Sequence, residues 1–393
     1  MKRSVLAITG TRADYGLMRP VYREVVSSES LDLQLVVTGM HLLQDFRTGL
    51  DEIHNDSYCK IHRVSMLLAE DSGLAMAQAL GLGIFGIASV IGAVSPDILL
   101  LQGDRGEMLA GAIVAAHMNI PIVHMSGGDT TGTIDESIRQ AITQFSHVHL
   151  TTCARSTQRL LQQGESSTRI FEVGEPGLDA IRTMDFETPE SISAALGINP
   201  QLPILLATMH PVTTEAAVAA TQMSNVLQAL DQLSFQTVFT YPNSDAGGRE
   251  MKEELESYKG RPWLRIVPHL GSRRYLSLMR IASALVGNSS SGILEAPSFR
   301  LPAVNIGTRQ HGRLQASNVI DVGYDVEEIR AGIRYALEDE VFKQGLDACQ
   351  NPYGDGFTAR KTVHILEKLR LVPSLVAKWM PAEQFVPAGW DGI

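Results

Sequence analysis

Cysteine is scarce: Cys59, Cys153 and Cys349 are odd in number and far apart in 393 residues. That argues against a disulfide framework or a cysteine-built zinc site, and the expected compartment is the cytoplasm. Positive charge is in deficit too, with 33 Lys and Arg against 43 Asp and Glu and a formal net charge of −10. A general nucleic-acid binder needs a basic surface, so this balance argues against one, and an anionic ligand has to be held locally. A secretory leader is not expected, because Met1-Lys2-Arg3 precedes only a few apolar residues, which read as a first strand. Long hydrophobic runs are rare. The one exception, Leu74 to Val94, is uncharged and about long enough to span a bilayer. It is interrupted by Gly81, Gly83, Gly86 and Gly92 and lies inside a regular strand–helix alternation, so the expectation is a helix buried in a soluble fold.

What the chain does have is that alternation. Apolar runs at Val5–Thr9, Leu33–Thr38, Ile98–Gln102, Ile120–His124 and His147–Thr151, with a weaker one near Ile61, are separated by helical patterns such as Arg105–His117 and Ile134–Phe145. Strands that are apolar throughout and alternate with helices indicate a parallel sheet covered on both faces. A lapse between Arg182 and Pro203 reads as an inter-domain connection. A second set follows at Ile204–Met209, Gln236–Tyr241, Leu264–Val267, Ala284–Gly287, Ala303–Ile306 and Val319–Val322. At this length two domains are expected: residues 1–182 as a Rossmann-like sugar or catalytic domain, 183–356 as a Rossmann-like nucleotide-binding domain, and 357–393 as a helix and tail returning to the first.

In such sheets ligands sit at the carboxyl ends of strands, so each strand-end loop is a place to search. The most telling is Leu285-Val286-Gly287-Asn288-Ser289-Ser290-Ser291-Gly292-Ile293-Leu294-Glu295, an apolar strand, a serine turn and a helix start. Unpaired N–H groups and serine hydroxyls there suit a phosphate, although an isolated turn of this kind is also an ordinary helix cap. Glu295, one helical turn beyond Ser291, can accept from a ribose. Arg309 and Arg313 bring two guanidinium groups suited to bidentate phosphate contacts. Together these point to a nucleoside diphosphate site.

In the first half, Arg12 and Asp14 follow the first strand and His41 follows the second. Asp104 starts a helix after Gly103, and the loop from His124 to Arg139 carries Asp129, Asp135, Glu136 and Arg139 with three glycines. That density of titratable groups in one flexible loop points to chemistry rather than to a plain connection. His210, before Pro211, is either a proton carrier near a pyrophosphate or a structural residue.

Taken in order, TGTRADYG at Thr9–Gly16, QGDR at Gln102–Arg105, GGDTTGTIDESIRQAIT at Gly127–Thr143, HPVTTE at His210–Glu215, GNSSSGILEAP at Gly287–Pro297 and GTRQHGR at Gly307–Arg313 resemble the UDP-N-acetylglucosamine 2-epimerase family, specifically its hydrolysing branch. The resemblance runs from Thr9 to about Leu369. It implies two Rossmann-like domains facing a cleft, as in glycosyltransferase-B folds, with Ser289 and Ser290 on the diphosphate, Glu295 on the ribose, and Arg309 and Arg313 on the phosphate charge. It also implies loss of the sugar C2 proton with departure of the diphosphate from C1, giving a 2-acetamidoglucal to which water adds with opposite C2 configuration. UDP-N-acetylglucosamine would give N-acetylmannosamine and UDP. Asp104, Asp129 and Asp135 are then the candidate proton-handling carboxylates, His210 lies near the leaving group, and Arg12, Asp14, His41 and Arg139 shape the sugar side. No cofactor or metal is expected, and a homo-oligomer is. The chain departs from several relatives in having Ser126 where they carry an acid, and Asp129 where they carry Glu. A GDP-linked sugar or UDP-2,4-diacetamido-bacillosamine is therefore the alternative substrate. A non-hydrolysing epimerase, a glycosyltransferase and a silent sugar-nucleotide sensor are the other readings.

Overall fold

The computed structural model describes residues 2–43, 47–56, 60–68, 70, 72–130, 134–243 and 245–378. Cys59, the loop residues Thr131 to Thr133, and the tail carrying Trp379 and Trp390 fall outside them. The chain forms two compact units, one from residues 1–182 together with the chain from 353 onward, the other from 183–352.

The first unit contains β1 (Arg3–Thr9), α1 (Arg12–Ser27), β2 (Leu31–Val37), α2 (Arg47–Asp56), β3 (Lys60–Arg63), α3 (Gly73–Val94), β4 (Ile98–Gln102), α4 (Gly106–His117), β5 (Ile122–Met125), α5 (Ile134–Phe145), β6 (Val148–Thr151), α6 (Ala154–Gln162), β7 (Ile170–Glu172) and α7 (Gly177–Thr183). Its sheet has the order β3-β2-β1-β4-β5-β6-β7, and every pairing is parallel. Alternate residues of a strand point to opposite faces. Thus Val5 and Ala7 join a core with Tyr15, Met18 and Val25 of α1, while Leu6 and Ile8 pack with Ile87, Met108 and Ile142 on the other side. Burying a side chain such as Ile87 stabilises by roughly 1.5–3 kcal/mol, and its truncation to Ala costs about 2–5 kcal/mol with the cavity included.

The second unit contains α8 (Pro189–Leu196), β8 (Ile204–Thr208), α9 (Ala219–Leu233), β9 (Gln236–Thr240), α10 (Gly248–Ser257), β10 (Leu264–Val267), α11 (Gly271–Ile281), β11 (Ala284–Gly287), α12 (Ser291–Leu294), β12 (Ala303–Ile306), β13 (Val319–Val322), α13 (Val326–Glu338) and α14 (Glu340–Gly345). The order is β10-β9-β8-β11-β12-β13, again parallel throughout. The chain then returns to the first unit as α15 (Thr358–Lys368) and α16 (Pro373–Val376). Val363 and Leu366 of α15 enter the same core as α1. The start of α15 is capped from within its unit, Asp179 accepting from the N–H of Thr358 at 2.9 Å and of Ala359 at 2.7 Å.

Three sequence expectations need correction. A strand at Ile170–Glu172 was not foreseen; it is a three-residue edge strand with too few residues to show a period. The helix after the serine turn is a single turn, Ser291–Leu294, and Pro297 allows only a 3-10 turn beyond it. The uncharged run forms α3 as expected but is not buried all round. Ala75, Ala79, Gly83, Ile87 and Ile91 face inward, and a Cβ at Gly83 or Gly86 would meet Met66 or Val64. Leu74, Met76 and Phe85 remain 65–77% exposed on the other side, so the helix is long and apolar enough to cross a bilayer yet packs by one face.

Candidate functional site

In both sheets the chain reverses direction between the first-laid and the fourth-laid strand, β1 beside β4 and β8 beside β11. At such a switch point the two strand-end loops diverge to opposite faces and leave a crevice. The candidate residues lie on the strand-end loops at these two places and on the loops after the neighbouring strands β2, β5 and β12.

In the first unit, the turn after β1 is closed by Asp14. Its carboxylate accepts from the N–H of Gly10 at 3.1 Å and of Thr11 at 2.8 Å, from the Thr11 hydroxyl at 2.9 Å, and from the Thr9 hydroxyl. Thr11 returns the favour as N-cap of α1, completing a capping box. Burial pushes the Asp14 carboxyl up, against the pull of these donors. The Thr9 hydroxyl also lies 3.0 Å from His41 Nε2. His41 is 1% exposed, and burial depresses its pKa to about 4, so it is neutral at pH 7. Arg12, by contrast, turns outward to Glu52 at 3.0 Å.

After β4, Asp104 is ion-paired with Arg139 of α5, whose other nitrogen donates to the Ser126 carbonyl at 2.5 Å. Two residues singled out 35 positions apart are thus partners. Ser126 sits at φ 63° at the end of β5, and His124 Nε2 donates to the Gly103 carbonyl at 2.8 Å, fixing the loop that presents Asp104. Burial lowers the His124 pKa to about 3, so the ring is neutral. Asp129 does not turn toward Asp104's partners. Its Oδ1 accepts from Thr152 at 2.6 Å and Ser156 at 2.5 Å, tying the loop to the start of α6. Asp135 lies in the first turn of α5, beside Glu136, which pairs with Arg159 at 2.8 Å.

Sequence reasoning overlooked Glu107. It is 5% exposed, in the first turn of α4, and folds its carboxylate against the backbone of Gly10 and Gly39. A Cβ on Gly10 would come within 2.8 Å of Glu107 Cδ, and one on Gly39 within 2.5 Å of Oε1. The available signal was the extension of QGDR to an acid two residues on, together with the glycines that follow β1 and β2.

In the second unit, Gly287 ends β11 at φ 128°, and a Cβ there would lie 1.9 Å from the Thr208 carbonyl oxygen; only glycine lets the two strand ends run this close. Asn288 locks the crossing. Its Oδ1 accepts from the His210 N–H at 2.7 Å, and its Nδ2 donates to the His210 carbonyl at 2.8 Å. The Asn288 carbonyl in turn accepts from Arg309 at 3.1 Å and Gln310 at 2.8 Å.

His210 Nδ1 accepts from the Asn243 N–H at 3.1 Å. Burial, with Arg309 nearby, lowers its pKa to about 4. A neutral ring that accepts at Nδ1 carries its proton on Nε2 and is there a donor. The Ser289 hydroxyl accepts from the Ser291 N–H at 3.3 Å, whereas Ser290, at the cap position, does not turn its hydroxyl onto the helix backbone. One oxygen of Glu295 is buried without a hydrogen-bond partner. Burial pushes this carboxyl up, opposed by the Ser291 hydroxyl and by Arg313. Arg309 and Arg313 lie close enough for the second charge, after burial, to lower the first's pKa. Two adjacent guanidinium groups, a neutral N–H donor and a serine turn are complementary to a polyanion. Glu215, overlooked as a residue although HPVTTE was noted, accepts from Thr308 at 2.5 Å, Tyr324 at 2.9 Å and Gln222 at 2.7 Å, buttressing the loop that carries Arg309. Among the described residues, no group of three or more His, Cys, Asp or Glu is arranged to hold a metal ion.

The profile of the UDP-N-acetylglucosamine 2-epimerase family matches residues 23–367. The chain is 40% identical over 380 residues to the UDP-N,N'-diacetylbacillosamine 2-epimerase (hydrolyzing) of Legionella pneumophila, covering 96% of this chain and 99% of that one. It is 35% identical over 347 residues to the GDP/UDP-N,N'-diacetylbacillosamine 2-epimerase (hydrolyzing) of Campylobacter jejuni, covering 87% and 89%, and 33% identical over 351 residues to a Neisseria meningitidis UDP-N-acetylglucosamine 2-epimerase, covering 88% and 92%. Among solved structures, the Neisseria meningitidis UDP-GlcNAc 2-epimerase bound to UDP-GlcNAc superposes with a TM-score of 0.77 at 19% identity, covering 92% of this chain and 99% of that one. That likeness shows the shared two-domain α/β fold, glycosyltransferase-B-like in class. The chain therefore belongs to the UDP-N-acetylglucosamine 2-epimerase family, in its hydrolysing branch, and is a sugar-nucleotide 2-epimerase.

Proposed function

We propose that this enzyme converts UDP-N,N'-diacetylbacillosamine and water to 2,4-diacetamido-2,4,6-trideoxymannose and UDP. The observation that carries the choice of sugar is the 40% identity to the Legionella enzyme over nearly the whole chain, against 33% to the Neisseria enzyme named for UDP-N-acetylglucosamine. UDP-N-acetylglucosamine, the first expectation from the motifs, becomes the second substrate to test, and a GDP-linked sugar the third.

A carboxylate removes the C2 proton while the C1–oxygen bond to the diphosphate breaks, leaving a C1–C2 double bond. Water then adds at C1 and a proton returns to C2 from the opposite face. Asp104 and Asp135 are assigned to proton handling. The ion pair with the Arg139 guanidinium orients the Asp104 carboxylate. Asp129, engaged by two hydroxyls, holds the loop rather than moving a proton. Glu107 and His41 shape the crevice after β1 and β2, with Asp14 fixing the turn and Arg12 at its rim. In the second unit His210, Arg309, Arg313, Ser289 and Ser290 stabilise the departing diphosphate, and Glu295 accepts from the ribose.

The test is proton NMR of each sugar nucleotide with the enzyme in heavy water. Free sugar with inverted C2 and deuterium at that carbon, formed fastest from the diacetylbacillosamine donor, is the expected result. Sugar epimerised but still attached to UDP would overturn hydrolysis; preference for UDP-N-acetylglucosamine would overturn the substrate.

The same reading makes the protein a cytoplasmic homo-oligomer, joined through the outer face of α3. No charged residue occurs from Ser72 to Pro96, and the exposed Leu74, Met76, Leu82 and Phe85 are matched by an identical uncharged face on a second copy. Sedimentation should show a multimer that Phe85→Arg dissociates. Vesicle binding by a monomer would instead make α3 a membrane element.

A further inference from the structure

Helix α5 carries proposed chemistry at one end and an unusual anchor at the other. Its last turn contains no basic residue, although the terminal carbonyls lack intrahelical partners and carry the negative end of the helix dipole. The cation arrives from the far end of the described chain. Lys378 Nζ donates to the carbonyls of Thr143 and Gln144, each at 3.1 Å, and to the Glu165 carboxylate. All three ammonium donors are thereby used. A surface ion pair would be worth little, but here the Glu165 side chain is 5% exposed and that of Lys378 27%. The second oxygen of Glu165 lies 3.1 Å from His149 Nε2 in β6. Burial pushes the His149 pKa down, so the ring is neutral and donates; Lys378 is the cation hydrogen-bonded to Glu165, with the Arg169 charge also nearby.

The rest of the segment is held as firmly. Arg169, 3% exposed, donates to the carbonyls of Ser374 at 3.2 Å and Ala377 at 3.4 Å, and Leu375 is fully buried in the α1–α15 core. These contacts all lie within the first unit. The opposite end of the same helix presents Asp135 in its first turn, and the middle of the helix carries Arg139, which grips Asp104 and the Ser126 carbonyl. A twelve-residue helix is a strut of roughly 18 Å, so whatever fixes its last turn also fixes where its first turn points.

Resting on the assignment of Asp104 and Asp135 above, we infer that residues 373–378 form a carboxy-terminal latch, and that Lys378 is a positioning residue that sets those carboxylates through α5. The latch does not touch substrate. Displacement of a reacting group by about an ångström costs up to ~100-fold in rate, so a helix released at one end should lose turnover without losing nucleotide affinity.

The experiment compares full-length wild type, Lys378→Met and Lys378→Arg in kcat, KM, UDP binding and amide hydrogen exchange along α5. The expected result for Lys378→Met is a kcat about tenfold lower, with KM and UDP affinity within about twofold of wild type and faster exchange through residues 134–145. Lys378→Arg, which keeps charge and donors, should recover most of both. Glu165→Gln, which keeps shape but removes the counter-charge, should move both readouts the same way and serves if Lys378→Met does not fold. A lower melting temperature with unchanged kcat, or unchanged exchange in the first turn of α5, would overturn the proposal. Should the wild type turn over no sugar nucleotide, the catalytic assignment falls by itself, and the exchange data still decide whether the latch governs α5.

Discussion

The two domains share a strand order and a switch point, yet their crevices hold opposite chemistry. Beside β1 and β4 stand carboxylates, most of them already answered: Asp104 by Arg139, Asp14 by backbone and hydroxyl donors, Glu107 by Arg105 at 3.5 Å. Beside β8 and β11 stand two guanidinium groups and a neutral histidine, with the hydrogen bond from Arg309 going to a carbonyl rather than to a carboxylate. The fold therefore fixes where loops converge, and the side chains decide what is done there. On the proposed mechanism one domain moves protons and the other takes up negative charge.

If that division of labour holds, damage to the two crevices should separate cleanly. Asp104→Asn and Asp135→Asn should each lower turnover by at least ~100-fold, the lower range for a general acid or base, and leave UDP affinity unchanged by calorimetry. Arg309→Met should weaken UDP by about 10–100-fold, the value of a charge-assisted contact, and should do so without sugar present. A UDP defect in Asp104→Asn as large as that in Arg309→Met would erase the distinction. A smaller effect is expected at Asp129. If its carboxylate only ties the loop to Thr152 and Ser156, Asp129→Asn should keep turnover within about tenfold and cost about 1–3 kcal/mol of stability from the broken hydrogen bonds. A ~100-fold loss of turnover would return it to the proton-handling set.

How legible each domain was follows the same contrast. Parallel strands buried on both faces, such as Ile98–Gln102 and Ile204–Thr208, announce themselves as unbroken apolar runs, and a switch point needs only their order. Edge strand Ile170–Glu172 was too short and too mixed to register. Loops with dense polar chemistry, around Asp104, Arg139, Ser290 and Arg309, were found because nothing in a core needs them. Their pairings were not visible, since Arg139 meeting Asp104 and Asn288 bracing His210 depend on strands brought together by the sheet. Glu107 was lost for a related reason. In sequence it is an ordinary first-turn acid on α4, and only the crossing of Gly10 and Gly39 shows that room was kept for it.

The mildest way to sharpen the comparison is pH. In the first domain burial holds the pKa of His41 at about 4, of His124 at about 3 and of His147 at about 4; in the second, His210 is held at about 4. Unfolded histidine titrates near 6.5. Between about 6.5 and 4 the unfolded chain thus binds more protons than the folded one, and stability falls as pH falls through that window. Each such histidine multiplies the opened population by up to about tenfold per pH unit. Asp56, lowered to about 2 chiefly by its hydrogen bonds from Arg19 against the cost of burial, adds nothing until pH drops below its unfolded range near 3.9. Carboxyls raised by burial, Asp14 and Asp179 in the first domain and Glu295 in the second, act in the opposite sense, contributing stability at low pH that fades as pH rises. His62 and His149, also lowered by burial, bring the depressed histidines of the first domain to five against one in the second, so amides of β5 and β6 should lose protection between pH 7 and 5 more steeply than those of β8 and β11, once intrinsic exchange rates are divided out. An equal loss in both sheets would mean that the domains open as one unit and that the histidines of the first are no more exposed to acid than the single one of the second.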